Sequence, residues 1–279
     1  MLANVKGLVD RLELSPAKAM MPLFEAISNS IDAIGDRADG FSHHTIRIRL
    51  VSTRDLAQQG GDDSLNIDGF DIADDGVGFN DSNLASFQEA HTLSKVRVGG
   101  KGVGRFTYLK VFSSVHVRSV FERQHERYLR EFDFDIVHEL RGVGKGQPTV
   151  EPLGTAISMS GLEGRYKGGW PNDPEVVAQR IIAHFLIRFA ARSCPRIILE
   201  GPNHAPMDLN ALFQSAVQSH IEERVFIVLG HEFTIQAYRN KDGRSRHELH
   251  LCANGREVVT GKLRDLLPEL PERFLDKPV

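Results

Sequence analysis

Cysteine is scarce: the 279-residue chain has two, Cys194 and Cys252, far apart in sequence. Neither belongs to a metal-type pair, so a thiolate metal site is excluded and a reduced, cytoplasmic protein is the simplest expectation. Long apolar runs are missing as well. No stretch is long enough to span a bilayer, so no membrane partner is expected. The opening segment MLANVKGLVDRLELSP reads as an amphipathic helix without the apolar core and cleavage site of a signal peptide. Charge of one sign is not in excess either. The chain has 34 Lys and Arg against 37 Asp and Glu, a formal net charge of −3, and no global basic character points to nucleic acid. The 12 histidines are scattered. His43–His44 has no second ligand cluster nearby, and zinc-type HxxEH spacing is absent. There is no internal repeat and no low-complexity tract.

What remains is an ordinary globular composition, 41% hydrophobic and 25% charged, long enough for one large domain or two smaller ones. Residues 17–35 read as a helix, with Phe24, Ile27, Ile31 and Ile34 as its buried stripe and Gly35 as a stop. TIRIRL (45–50) alternates as a strand, and LNIDGFDIADDG is a strand running into a glycine turn. A short helical piece is expected around Leu84–Ala90, and VGRFTYLKVF starts a further helix. SSVHVRSVF, ERYLREFDFDI and GTAISMSG read as strands. GLEGRYKGGWPNDP reads as a surface loop, Glu175–Arg192 as one long apolar helix, and PRIILEG as a strand. After about Gly201 the pattern changes to a short helix, MDLNALFQSAVQSH, then to a meander of strands, RVFIVLG, EFTIQAYRN and RHELHLCANGREV. A domain boundary is expected near 200–220. The Pro-punctuated end, LRDLLPELPERFLDKPV, offers no closing strand. It fits a fragment of a longer protein as well as a chain ending in a small helix.

Three stretches carry chemistry. In EAISNSIDA, Glu25, Asn29 and Asp32 are spaced four and three apart and fall within an arc of about 60° on a helix. The apolar stripe lies on the opposite side. Small neighbours, Ala26, Ser28, Ser30 and Ala33, make this unlike a Lys/Glu solvent face, although a solvated face stays open. A carboxylate there could take a proton from water, and an asparagine carbonyl suits a hard cation such as magnesium. In FDIADDGVG, the strand face carrying Phe70 and Ile72 also carries Asp74. A carboxylate on a core-facing position must be paired, and the amino group of a base would satisfy it. Gly76 and Gly78 would let the backbone turn and a flat ligand approach; a plain Asp-Gly turn is the alternative. In GGKGVG, Gly99, Lys101, Gly102, Val103 and Gly104 open a helix, and glycine N–H groups at a helix N-terminus make an anion site. Neither P-loop nor dinucleotide spacing is met, and a flexible loop remains open.

In this order the pieces resemble the GHKL superfamily, named for gyrase B, heat-shock chaperones, histidine kinases and MutL-type mismatch-repair proteins. EAISNSIDA is similar to its N box, DDGVG to its D-x-G-x-G box, GGKGVG to its G-x-x-G-x-G box, and LGTAISM to the G-T strand that closes the adenine pocket. The match covers roughly residues 15–200. It implies an α+β fold: a Bergerat-fold α/β sandwich with a mixed, largely antiparallel sheet and helices on one face. The ATP-binding domain is expected over 1–205, followed by a smaller, transducer-like α/β region over 206–279, with a truncated region as one reading. The resemblance implies Glu25 as general base for the attacking water and Asn29 as the Mg2+ ligand bridging to the phosphates of ATP, with Asp32 as a supporting polar residue. It implies Asp74 as the reader of the adenine amino group, Gly76 and Gly78 beside the base, and Thr155 in the adenine–water network. Gly99, Gly102 and Gly104 match the lid glycines, with Gly100 a spacer; the lid would run roughly from Asn80 to Gly102. HTLSKV resembles a MutL-type lid segment, which adds Ser94 and Lys95, and CANGREV resembles a strand of the MutL transducer. The last box, GKGVGRF, is nearer the heat-shock and gyrase style. A kinase is not expected: Glu25 stands where kinases have asparagine, and about 20 residues precede the N box. No transducer lysine is found, since Lys241 and Lys262 lack the context. The implied activity is Mg-dependent ATP hydrolysis driving lid closure and homodimerisation, a clamp or switch on a DNA or protein client. A non-hydrolysing nucleotide-binding regulator is the alternative.

Overall fold

Alternation of apolar and polar residues along the strands gives a sheet with one buried face. The computed structural model describes residues 5–53, 66–89, 104–240, 248–253 and 256–262, with single positions 265 and 269. The helices are α1 (Val5–Arg11), α2 (Met21–Gly35), α3 (Asp81–Glu89), α4 (Gly104–Val111), α5 (Pro174–His184), α6 (Leu186–Ala190) and α7 (Leu209–Ala216). The strands are β1 (Thr45–Thr53), β2 (Asn66–Asp74), β3 (Phe112–Arg123), β4 (Glu126–Asp135), β5 (Glu139–Arg141), β6 (Gln147–Pro148), β7 (Gly154–Leu162), β8 (Arg196–Glu200), β9 (Met207–Asp208), β10 (Val217–Val228), β11 (His231–Asn240), β12 (Glu248–Ala253) and β13 (Arg256–Lys262).

The architecture is α+β. Among the described residues β1 to β9 form one nine-stranded sheet in the order β5-β4-β3-β7-β2-β1-β8-β9, with β6 paired to β4. It is mixed: β1 runs parallel to β8, whereas β1–β2, β2–β7, β7–β3 and β3–β4 are antiparallel. Ile46, Ile48 and Leu50 of β1, Ile72 of β2, and Ile157 and Met159 of β7 are buried. Between them Arg47, Arg49, Ala156 and Ser158 face out. Arg49 pairs with Asp71 at 2.6 Å on that polar side. The chain divides into two compact units, Met1–Gln179 with Cys194–Met207, and Arg180–Ser193 with Asp208–Val279.

In the first unit α2 packs against α4 and β2, and α1 against α4. The α2 stripe is Leu23, Ala26, Ile27, Ile31 and Ile34, with Phe24 only half-buried. The helix starts at Met21 rather than at 17, behind a 3-10 turn at Pro16–Lys18. Pro22 explains the shift: it lacks an N–H and clashes inside a helix, but fits the first turn, where it stands. The segment expected as a surface loop instead carries core aromatics. Gly164–Gly169 forms a 3-10 turn, Tyr166 is wholly buried, and its hydroxyl donates to the Leu14 carbonyl at 3.2 Å. Trp170 stacks on Phe70 at 5.9 Å and meets Phe112 edge-on at 5.7 Å.

The long helix expected over 175–192 is interrupted. Phe185 takes φ −106°, ψ 22°, outside the helical region, with its ring buried, and α6 resumes after it. In the second unit Phe189 and Phe213 pack at 5.8 Å. The expected meander is resolved into two separate two-stranded sheets, β10–β11 and β12–β13. No described helix is long and apolar enough to cross a membrane.

Candidate functional site

A cleft of about 460 Å³ opens in the first unit, lined by α2, α3, α4 and by residues of β2, β3, β4 and β7. That volume lies in the range of small-molecule sites. Glu25, Asn29, Asp32, Asp74, Gly78, Gly104 and Thr155, all named from the sequence, line it together. Gly76 is not among its lining residues. Ser94, Lys95, Gly99, Lys101, Gly102 and Val103 lie outside the described residues.

The helix spacing of α2 brings Glu25, Asn29 and Asp32 to the same wall. Behind Glu25 stands Gly104, the first residue of α4. A Cβ there would overlap the Glu25 carboxylate, so the glycine gives this side chain its space. Asn29 Nδ2 donates to the Tyr108 hydroxyl at 3.1 Å. This fixes the amide and leaves Oδ1 as its free oxygen acceptor.

Asp74 ends β2 opposite Thr155 of β7. Ser30 Oγ donates to its Oδ2 at 2.7 Å, and the Gly76 N–H donates to Oδ1 at 3.0 Å. Across the β2–β7 pair the Thr155 backbone also favours the ionised form. Burial nevertheless outweighs these groups and pushes the Asp74 carboxyl up to about 6. A carboxylate has about four acceptor positions; two take the Ser30 and Gly76 donors, so acceptor capacity remains on a residue that lines the cleft.

A hydroxyl pair braces this wall. Ser119 Oγ and Thr155 Oγ1 lie 2.9 Å apart, and Ser119 Oγ accepts the Phe79 N–H at 2.8 Å. Gly78 has φ +73°, and a Cβ on it would overlap the Val120 carbonyl, so both conformation and space require glycine. Gly76 has a different task. Its Cα packs on Ala33 of α2, where a Cβ would come within 2.8 Å, and the next N–H, from Val77, reaches the Ala33 carbonyl at 3.1 Å. At this position the glycine docks helix on strand.

Sequence reasoning missed Ser30, Tyr108, Ser119 and the aromatic side of the cleft, Phe79 and Phe87. Only Ser30 left a signal: a small polar residue buried on a helix that must face a core carboxylate. Ser119 and Tyr108 act through tertiary contacts between elements far apart in the chain. Among the described residues no group of three or more His, Cys, Asp or Glu side chains could hold a metal ion alone. No protein-family model matches the chain, and no curated protein matches it.

Proposed function

We propose that this chain is a GHKL-type module with a Bergerat fold that binds ATP with Mg2+ and hydrolyses it. In this reading lid closure over roughly 80–102 and dimerisation of the ATP-bound form make it a cytoplasmic clamp or switch, with 206–279 as a transducer-like region. The carrying observation is Asp74, which keeps acceptor capacity in the same cleft as Glu25 and Asn29.

Each role follows from chemistry at a named atom. The Asp74 carboxylate accepts the adenine amino group, and the Ser119–Thr155 hydroxyl pair holds the adjoining wall. Glu25 orients water and takes its proton. The N-terminus of α4 offers backbone N–H groups to phosphate. Asn29 Oδ1 would hold Mg2+, which retains waters and phosphate oxygens and offsets phosphate charge when bound. The donor set fits that use, since one amide oxygen suits a cation shared with phosphate.

Calorimetric titration of a non-hydrolysable ATP analogue, with and without Mg2+, tests the site in wild type and Asp74→Asn. Magnesium-assisted binding that is lost or much weakened in the variant is expected; no binding to folded wild type overturns the reading. Turnover abolished in Glu25→Ala separates the enzyme from a non-hydrolysing regulator. Salt-dependent DNA affinity separates a DNA client from a protein client.

A further inference from the structure

Among its described residues the first unit buries two arginines, and it treats them differently. Arg130 of β4 is 3% exposed and fully engaged. Its Nη1 donates to the Phe79 carbonyl at 2.6 Å, its Nη2 to Asp81 at 2.7 Å and its Nε to the Gly144 carbonyl at 3.1 Å. The Phe121 ring lies 4.4 Å beneath it. Arg105 of α4 is 6% exposed and lies, among the described residues, against two rings: Phe87 at 4.3 Å and Phe106 at 5.5 Å from Cζ. Its Nε and Nη2 are buried without a hydrogen-bond partner, and among the described residues no carboxylate lies within ion-pair distance. Cation–π contact offsets part of a guanidinium's desolvation, but a buried charge without hydrogen bonds costs several kcal/mol. Burial draws the Arg105 pKa down only to about 10, so it stays charged at neutral pH.

Arg105 also lines the cleft. It is the second residue of α4, beside Gly104, where the first N–H groups of the helix lack intrahelical acceptors. A helix N-terminus and an unpartnered buried cation thus meet at one end of the same cavity. We propose that Arg105 is an anion-binding residue of this cleft, and that its ligand is a phosphate group of the bound nucleotide. The inference rests on the nucleotide reading above and adds the residue that takes the phosphate. Phosphate gives Nε and Nη2 the planar, two-point acceptor that a guanidinium fits. Phe87 is on α3, the helix that precedes residues 90–103, so drawing Arg105 onto phosphate changes a contact of that helix.

The test compares adenosine with ADP by calorimetry, on wild type, Arg105→Met and Arg105→Lys. Wild type binds ADP more tightly than adenosine. In Arg105→Met about ten- to a hundredfold of the ADP affinity is expected to be lost, as for hydrogen bonds to a charged group. Adenosine affinity stays within about twofold, and Arg105→Lys keeps part of the difference. An unchanged ratio of ADP to adenosine affinity in Arg105→Met overturns the proposal, because packing on Phe87 alone would leave that ratio intact. Should Arg105→Met not fold, wild type and Arg105→Lys decide: a Lys variant with the wild-type ratio, together with no competition between inorganic phosphate and ADP on wild type, overturns it. If wild type binds neither adenosine nor ADP, the nucleotide reading has failed. Inorganic phosphate then decides for Arg105: thermal stabilisation of wild type that is lost in Arg105→Met upholds an anion site, and its absence overturns it.

Discussion

The Cα of Gly104 lies against the carboxylate of Glu25, so a single methyl group at position 104 would occupy space that Glu25 holds. Gly104→Ala is therefore expected to displace the proposed base while leaving the Asp74 end of the cleft intact. Turnover should fall about a hundredfold, the scale of a 1 Å misplacement, with adenosine affinity little changed. Steady-state ATPase assays beside adenosine titrations check this; equal losses in both would show that the glycine serves the whole cleft.

Asp74 couples the site to stability. Its carboxyl holds a proton up to about 6 in the fold, well above the ordinary aspartate value of about 3.9. A raised value means that its stabilising contribution is complete below the unfolded value and is lost as pH rises through the folded one. Near neutral pH the ionised side chain costs about 3 kcal/mol relative to acid. Asp74→Asn removes this dependence. Melting curves between about pH 4 and about pH 8 should show the variant gaining on wild type as pH rises; a constant gap contradicts the buried carboxylate.

The same proton competes with ligand. The neutral acid accepts more weakly than the carboxylate and turns one oxygen into a donor, so adenosine affinity should weaken as pH falls through about 6. Titrations of wild type at several pH values show the slope, and Asp74→Asn should show none. A slope that survives in the variant assigns the proton elsewhere.

Ser119→Ala removes the acceptor of the Phe79 N–H and one member of the hydroxyl pair with Thr155. With that N–H left unsatisfied, a loss of about 1–3 kcal/mol in urea-unfolding free energy is expected. A variant as stable as wild type would place the Phe79 N–H on another acceptor.

Tyr108→Phe releases the Asn29 amide. Because Asn29 is exposed, stability should change little. The magnesium-dependent part of nucleotide affinity should drop about fivefold, the worth of one ordinary hydrogen bond. Titrations with and without Mg2+ read it directly, and an unchanged magnesium effect would remove Tyr108 from the site.

Residues whose role depends on their own element were the ones visible in the sequence. Glu25, Asn29 and Asp32 share a wall because helical spacing alone puts them there, and Asp74 follows Phe70 and Ile72 in strand alternation. Thr155 was named only through the family resemblance, because its place beside Asp74 needs the pairing of β2 with β7, which spacing does not contain. Ser119, Tyr108 and Arg105 needed tertiary packing: nothing local separates the satisfied guanidinium of Arg130 from the unsatisfied one of Arg105. Pro22 did mark the start of α2, but apolar periodicity carried the expected helix past it. Tyr166 and Trp170 were hidden because glycine and proline around them suggested solvent, while their rings supplied core.

In the proposed reading, the acceptor capacity left on Asp74 would also set which purine is admitted. A 6-amino group meets the free position as a donor, whereas a 6-oxo group would set lone pairs against lone pairs. That discrimination exists only while the carboxyl is ionised. Once it takes up a proton it can donate, and an oxo group becomes as acceptable as an amino group was before. With the carboxyl raised to about 6, a site that reads adenine through Asp74 would discriminate against hypoxanthine more sharply above that value than below it.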